Sequence, residues 1–308
     1  MISAVTLLIV GLLLLVFGGD FLIKSAISFA KKLNVPTFLI GITVVSFGTS
    51  APELMVSIQA ALENASGITI GNVIGSNIAN IGLVLGLTVI IKPISISKGK
   101  YLISWLFMLL STLILLFLLY DKNLDFSEGL LLSGALVIFI ILSIKYIKGD
   151  NADEITEKEK SVFISFIYFL IGCLGLYYGS ELFVDNAIFI AKSVGVSEFV
   201  IGITIVAFGT SLPEMVTSLI AALKGQNNIS IGNLIGSNIF NVLAVLGITT
   251  LIQPIIIGDN LSHIFESVFV MIFYTLIMGL FLIKKEISRK FGLILFSGYL
   301  IYLIFYIV

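Results

Sequence analysis

One cysteine, one histidine and one tryptophan occur in 308 residues, and charged side chains make up only 11% of the chain. A lone cysteine, Cys173, excludes any disulfide within the chain, and its apolar neighbours mark it as a packing residue. With a single thiol and a single imidazole, the ligand sets that zinc and copper favour cannot be assembled. A formal net charge of −1 argues against nucleic-acid binding. So little charge beside 58% hydrophobic residues leaves too little polar surface to cover a soluble globule, and a mean hydropathy of +1.17 marks an integral membrane protein in contact with the lipid bilayer.

Apolar stretches recur at 2–30, 37–62, 68–91, 102–120, 126–147, 162–191, 199–223, 229–252, 264–283 and 291–308. Each is near or above the roughly 20 residues that a bilayer requires, so the expected fold is all-α and polytopic, with ten transmembrane helices. The first stretch has no basic segment before it and is read as a mature span rather than a signal peptide.

Within this apolar background, residues 35–94 return without a gap as 196–255, with 34 of the 60 aligned positions identical. The identities include Gly-Thr-Ser-x-Pro-Glu (Gly48 to Glu53, Gly209 to Glu214) and Gly-Ser-Asn-Ile-x-Asn (Gly75 to Asn80, Gly236 to Asn241). The one strongly polar linker, 149–160, separates a first half, 1–148, from a second, 161–308. Five spans per half is an odd number, so the second copy enters the membrane from the opposite face and the repeat is inverted. All lysines and arginines except Lys24, Lys122 and Lys192 fall on one side of this topology. The positive-inside rule then places the chain in the cell membrane with both termini extracellular and linker 149–160 cytoplasmic.

Glu53 lies about sixteen residues into its span, roughly 24 Å along a helix of about 39 Å, too deep for easy snorkelling. Glu214 reaches the same depth from the other face, and an ionisable group there is costly enough to be read as functional. Before each glutamate stand helix breakers and hydroxyls: Gly48, Thr49, Ser50, Pro52 and Gly209, Thr210, Ser211, Pro213. Proline frees the carbonyl one turn earlier, near Gly48 and Gly209, and such a break is tolerated only inside protein or beside a wet cavity. The following spans add Asn72, Ser76, Asn77 and Asn80, matched by Asn233, Ser237, Asn238 and Asn241. Ser76 and Asn80, four apart, and Asn77 and Asn80, three apart, share a helix face, and Gly71, Gly75, Gly232 and Gly236 allow close helix approach. Every donor here is an oxygen, which suits Ca²⁺ and Na⁺. Two ionised glutamates are neutralised by one Ca²⁺ or by two Na⁺, and that competition is a physical basis for exchange.

Blander readings compete. Ser50 to Glu53 and Ser211 to Glu214 also fit a capping box, in which the glutamate merely satisfies helix-start amides; recurrence at mid-membrane depth in two inverted copies favours the ion site. Asp20 recurs as Glu181, but Lys24 one turn on supplies Asp20 with a local ion pair, whereas Glu181 has Asp185. His263 is expected at the membrane interface. A hydrolase built on Asp20 would need a second paired aspartate motif, Gly-x-Ser-x-Gly or His-Glu-x-x-His, none of which is present, so no enzyme is expected. A passive channel fits poorly with broken helices in an inverted repeat.

At these two motifs the chain resembles the alpha-repeats of the calcium/cation antiporter superfamily, most closely its prokaryotic sodium/calcium exchanger-like members. The resemblance covers the whole chain and makes 35–94 and 196–255 the two alpha-repeats. It implies four ion positions in a diamond between the second, third, seventh and eighth helices. Glu53 and Glu214 would bind both ions. Thr49, Ser50, Thr210 and Ser211 would add hydroxyl or carbonyl oxygens, Ser76 and Ser237 would complete sodium positions, and Ser46 and Ala207 would give backbone carbonyls. Asn77, Asn80, Asn238 and Asn241 complete the candidate set. It also implies that the long first and sixth helices slide across this core. Some members carry a carboxylate where Asn80 or Asn241 stands, linked in potassium-dependent relatives to potassium use, so asparagine at both argues against potassium coupling.

The expectation is a secondary antiporter that exchanges Ca²⁺ for Na⁺, moving calcium outward, with no cofactor and as a monomer. A membrane carboxylate can also carry a proton, which leaves a calcium/proton antiporter as the alternative.

Overall fold

The computed structural model describes residues 2–96, 101–147, 161–195, 207–257, 261–284 and 286–307. The expected linker, 149–160, and the opening of the second repeat, 196–206, lie outside the described residues. The fold is all-α. In chain order the helices are α1 (Ile2–Leu33), α2 (Thr37–Thr49), α3 (Ala51–Leu62), α4 (Ser66–Ile91), α5 (Leu102–Leu118) and α6 (Phe126–Ile147). They continue as α7 (Val162–Ser193), α8 (Ala207–Thr210), α9 (Leu212–Leu223), α10 (Asn227–Ile252), α11 (Leu261–Leu282) and α12 (Arg289–Ile307). Among the described residues seven helices are long and apolar enough to cross a membrane, or eight if the bent pair α2–α3 is one span.

Burial ranks the helices. In α4 and α10, 78% and 83% of the most apolar stretch is buried, against 28% in α1 and 22% in α7. The two helices that carry the asparagines are therefore the centre of the bundle, and the two longest are its flank. At 32 residues each, α1 and α7 would run about 48 Å, well beyond the roughly 30 Å hydrocarbon core, which calls for tilt. They cross backbone to backbone: a Cβ on Gly18 would lie 2.8 Å from the Leu176 amide nitrogen, and one on Gly172 2.8 Å from that of Leu22. Only glycine allows this approach, which locks the two helices together without a hydrophobic driving force. The Ser28 and Ser165 hydroxyls, 2.6 Å apart, tie the same pair.

The proline breaks occur where the motif places them. Helices α2 and α3 meet at Ser50 with a bend of 43°, and Pro52 sits in the first turn of α3. Ser50 (φ −87°, ψ 4°) and its mirror Ser211 (φ −90°, ψ 5°) share one conformation, so both halves break in the same way. The turns match too: Asn34 and Gly195 fill one pair of equivalent left-handed positions, Asn64 and Gly225 the other.

Among the described residues three stretches are π-helical: Gly41–Val45, Asn80–Leu85 and Asn241–Leu246. The last two begin at the matched asparagines, and a π segment widens the turn where a side chain must be aimed off the regular helix face. Short antiparallel ladders close the ends, β1 (Ile94–Ser95) with β4 (Glu286–Ile287) and β2 (Asn123–Leu124) with β3 (Ile255–Ile256), each joining the first half to the second.

Candidate ion-binding site

The motif residues of the two repeats converge in the buried centre. Glu53 and Glu214 are both fully buried and close enough for their charges to repel. Ser50 Oγ of the first half donates to Glu214 Oε1 of the second at 3.1 Å. The Thr49 hydroxyl lies 3.1 Å from Asn233 Oδ1 and 3.3 Å from Ser237 Oγ. Thr49 of the first half and Ser237 of the second therefore meet hydroxyl to hydroxyl.

Four asparagines stitch α4 to α10 in near two-fold fashion. Asn77 Nδ2 donates to the Asn238 carbonyl at 3.1 Å, and Asn238 Nδ2 to the Asn77 carbonyl at 3.4 Å. Asn80 Nδ2 donates to Asn238 Oδ1 at 3.0 Å, and Asn241 Nδ2 to Asn77 Oδ1 at 3.1 Å. With their amide hydrogens so engaged, Asn80 and Asn241 present their Oδ1 atoms free of any hydrogen bond among the described residues. Behind this layer Asn72 Nδ2 donates to Ser57 Oγ at 3.0 Å and to the Glu53 carbonyl at 3.2 Å, and Asn233 Nδ2 to Ser218 Oγ at 3.0 Å. Those two asparagines hold each broken helix against its neighbour.

Seven buried oxygens in this one cluster have no hydrogen-bond partner among the described residues: both of Glu53, Glu214 Oε2, Ser76 Oγ, Ser211 Oγ, Asn80 Oδ1 and Asn241 Oδ1. An unsatisfied buried polar atom costs about 1–3 kcal/mol, so seven would cost about 7–21 kcal/mol, as much as the whole stability of an ordinary domain. Protein hydrogen bonds do not offset that cost, whereas a hard cation accepts oxygens of all three kinds. The donor set fits Ca²⁺ and Na⁺ as cargo.

The capping-box reading fails at both motifs. Neither Ser50 nor Ser211 caps its helix through the side chain, and the Glu53 oxygens have no hydrogen-bond partner among the described residues, the Ser50 amide included. A capping box does exist elsewhere: Asp125 Oδ1 accepts from the Ser127 and Glu128 amides at 2.8 and 3.2 Å, while Glu128 Oε2 accepts from the Asp125 amide at 2.9 Å.

The remaining candidates divide. The Ser46 carbonyl, on the wall of α2, accepts from the Ser50 amide at 2.9 Å and from Thr49 Oγ1 at 3.3 Å. Thr210 is half-buried at the end of α8, and Ala207 opens that helix. The Gly209 carbonyl freed by Pro213 is taken by Ser180 Oγ of α7 at 2.9 Å; the first half has Gly19 at the position of Ser180 and so no equivalent hydroxyl. Gly232 and Gly236 pack α10 onto α2, where a Cβ would lie 2.9 Å from the Phe38 carbonyl oxygen and 2.6 Å from that of Ile42. Gly71 and Gly75 meet nothing within 4 Å among the described residues, so close packing explains only one copy of the pair. Asp20 pairs with Lys24 as its spacing suggests, at 2.6 Å, and also with Lys224 at 2.5 Å, which no local spacing reveals. His263 is exposed and lies 3.4 Å from Glu266.

A lipid-embedded bundle with broken helices, carrying a two-carboxylate, all-oxygen cluster built equally by two repeats, is the core of a membrane antiporter. The family model described as sodium/calcium exchanger protein matches residues 3–145 and 164–308, and the chain belongs to that family, as a prokaryotic-type member of the calcium/cation antiporter superfamily. The sodium/calcium exchanger MaX1 of Methanosarcina acetivorans is 35% identical over 345 residues, covering 98% of each chain. The inner membrane protein YrbG of Escherichia coli is 33% identical over 315 residues, covering 98% of this chain and 96% of that one. Among solved structures, the sodium-calcium exchanger NCX_Mj soaked with zero Na⁺ and Ca²⁺ superposes with a TM-score of 0.84 at 35% identity, covering 97% of each chain.

Proposed function

We propose that this protein exchanges Ca²⁺ for Na⁺ across the cell membrane by alternating access, moving calcium outward. The observation that carries this reading is the pair of fully buried glutamates amid oxygens that have no hydrogen-bond partner among the described residues. Two carboxylates balance one Ca²⁺ or two Na⁺, and a cluster left empty or doubly loaded is costly in low dielectric, so each ion displaces the other. Glu53 and Glu214 bind both ions. Thr49, Ser50, Thr210, Ser211, Ser76, Ser237, Asn80 and Asn241 add oxygens, Asn77 and Asn238 orient the last two, and Ser46 and Ala207 contribute backbone carbonyls. The relatives' names support calcium and sodium as the cargo.

The scaffold is ten spans in two inverted five-helix halves, with both termini extracellular, linker 149–160 cytoplasmic and a single chain as the working unit. In it the glycine-locked pair α1–α7 slides across the core, opening the cluster first to one side and then to the other. The direct test uses vesicles containing the purified protein, in which an outwardly directed sodium gradient drives calcium uptake. A pH gradient substituting for sodium would select calcium/proton antiport, and calcium flux without any counter-ion gradient would mean a channel.

A further inference from the structure

Asp20 is held between two cations, Lys24 of α1 itself at 2.6 Å and Lys224 at the end of α9 at 2.5 Å. The residue before it brings the helices together: a Cβ on Gly19 would lie 2.9 Å from Ile220 Cδ1 and 3.2 Å from Val216 Cγ1. This is a joint between a first-half helix and a second-half helix, sealed by charge. Its mirror is read from the repeat, whose register of 161 residues continues upstream of the motifs. Asp20 corresponds to Glu181, Lys24 to Asp185 and Lys224 to Glu63. One joint holds a carboxylate between two ammonium groups; the other would hold three carboxylates. All three acids are exposed here, and α7 makes no packing against α3, among the described residues, comparable to that of α1 on α9.

In an inverted repeat the two end states are related by exchanging the conformations of the halves. Passing to the other state would part Asp20 from Lys224 and bring Glu181 and Asp185 onto Glu63. We propose that Asp20, Lys24 and Lys224 form a latch that favours the facing seen here, and that the acidic mirror set opposes the other facing, so that alternation in this chain is biased by charge. The inference rests on the alternating-access reading and places positioning residues outside the ion cluster. A partly exposed ion pair shifts an equilibrium by about 1.4- to 5-fold. Turning two mirror repulsions into attractions then shifts it on the order of tenfold.

The test measures the distance between spin labels at the exposed helix ends Leu33 and Leu223 in the full chain in lipid nanodiscs, on a Cys173→Ala background, at fixed ion concentrations. Asp20→Asn is expected to enlarge the long-distance population by about 1.4- to 5-fold, and Asp20→Glu to restore the short one. Glu63→Lys leaves the Asp20 joint untouched and is expected to enlarge the long-distance population about tenfold. Glu63→Lys decides, even if Asp20→Asn folds poorly. An unchanged distribution in that variant overturns the proposal, as does a shift with Asp20→Asn alone, which would make the joint a brace. The distances are independent of which ions are carried, so a failed exchange assay with shifted distances refutes the exchange reading and not the latch.

Discussion

Replacing Asn77 by alanine separates bracing from ion binding. Its Oδ1 accepts from Asn241 Nδ2 and its Nδ2 donates to the Asn238 carbonyl, both at 3.1 Å across the two halves. Removing the side chain leaves the buried Asn241 amide without its acceptor, at about 1–3 kcal/mol, and loses a second bond worth about 1 kcal/mol net. The ion-free protein should therefore lose about 2–4 kcal/mol. Calcium at a hundred times its dissociation constant should stabilise the folded protein by about 2.7 kcal/mol. If Asn77 braces, Asn77→Ala lowers stability with and without calcium by the same amount, so the calcium increment survives. Glu53→Gln should do the reverse, keeping ion-free stability and losing the increment. The assay is reversible unfolding of the purified protein at two calcium concentrations. Unchanged ion-free stability in Asn77→Ala, with the calcium increment gone, would refute the bracing argument and make Asn77 a ligand.

Gly18→Ala should destabilise by about 1–3 kcal/mol, because the added methyl meets only backbone of α7. Gly134→Ala, with nothing within 4 Å among the described residues, should be neutral or gain up to about 1 kcal/mol, and thermal unfolding of the two variants side by side checks the contrast. Ser180→Ala should cost about 1 kcal/mol by leaving the Gly209 carbonyl unpaired, read in the same experiment. Hydrogen bonds from the Ser127 side chain and from the Glu128 and Ser127 amides hold the Asp125 carboxyl below its ordinary value. A lowered value in the folded state means the cap contributes above the unfolded value of about 3.9 and is lost as pH falls through the folded one. The protection of the Ser127 and Glu128 amides, measured against their intrinsic exchange at the same pH, should therefore fall in that acid range and in Asp125→Ala at neutral pH.

What could be read from the chain alone was whatever repeats or lies along one helix. The duplicated motifs, the paired glutamates, the breaks at Ser50 and Ser211 and the Asp20–Lys24 spacing are local patterns. What escaped was contact across the bundle. Lys224 and Asp20 lie in different halves, and no periodicity brings them together. The reciprocal asparagine bonds needed α4 beside α10, and the π segments at Asn80 and Asn241 change a helical turn without leaving a signature in composition. One missed contact did have a signal: Ser180 stands where the repeat has Gly19, and the hydroxyl gained there is the one that takes the Gly209 carbonyl. The glycine stripe misled in one copy, because Gly71 and Gly75 have the spacing of a packing face but meet none of the described residues.

In the proposed exchanger Glu53 and Glu214 form one cluster in which calcium and sodium displace each other. Calcium uptake into vesicles containing the purified protein, driven by a sodium gradient, tests it most directly. Uptake by the native protein should collapse with the sodium gradient and be abolished in both Glu53→Gln and Glu214→Gln. Sodium-driven uptake that survives either substitution would contradict it.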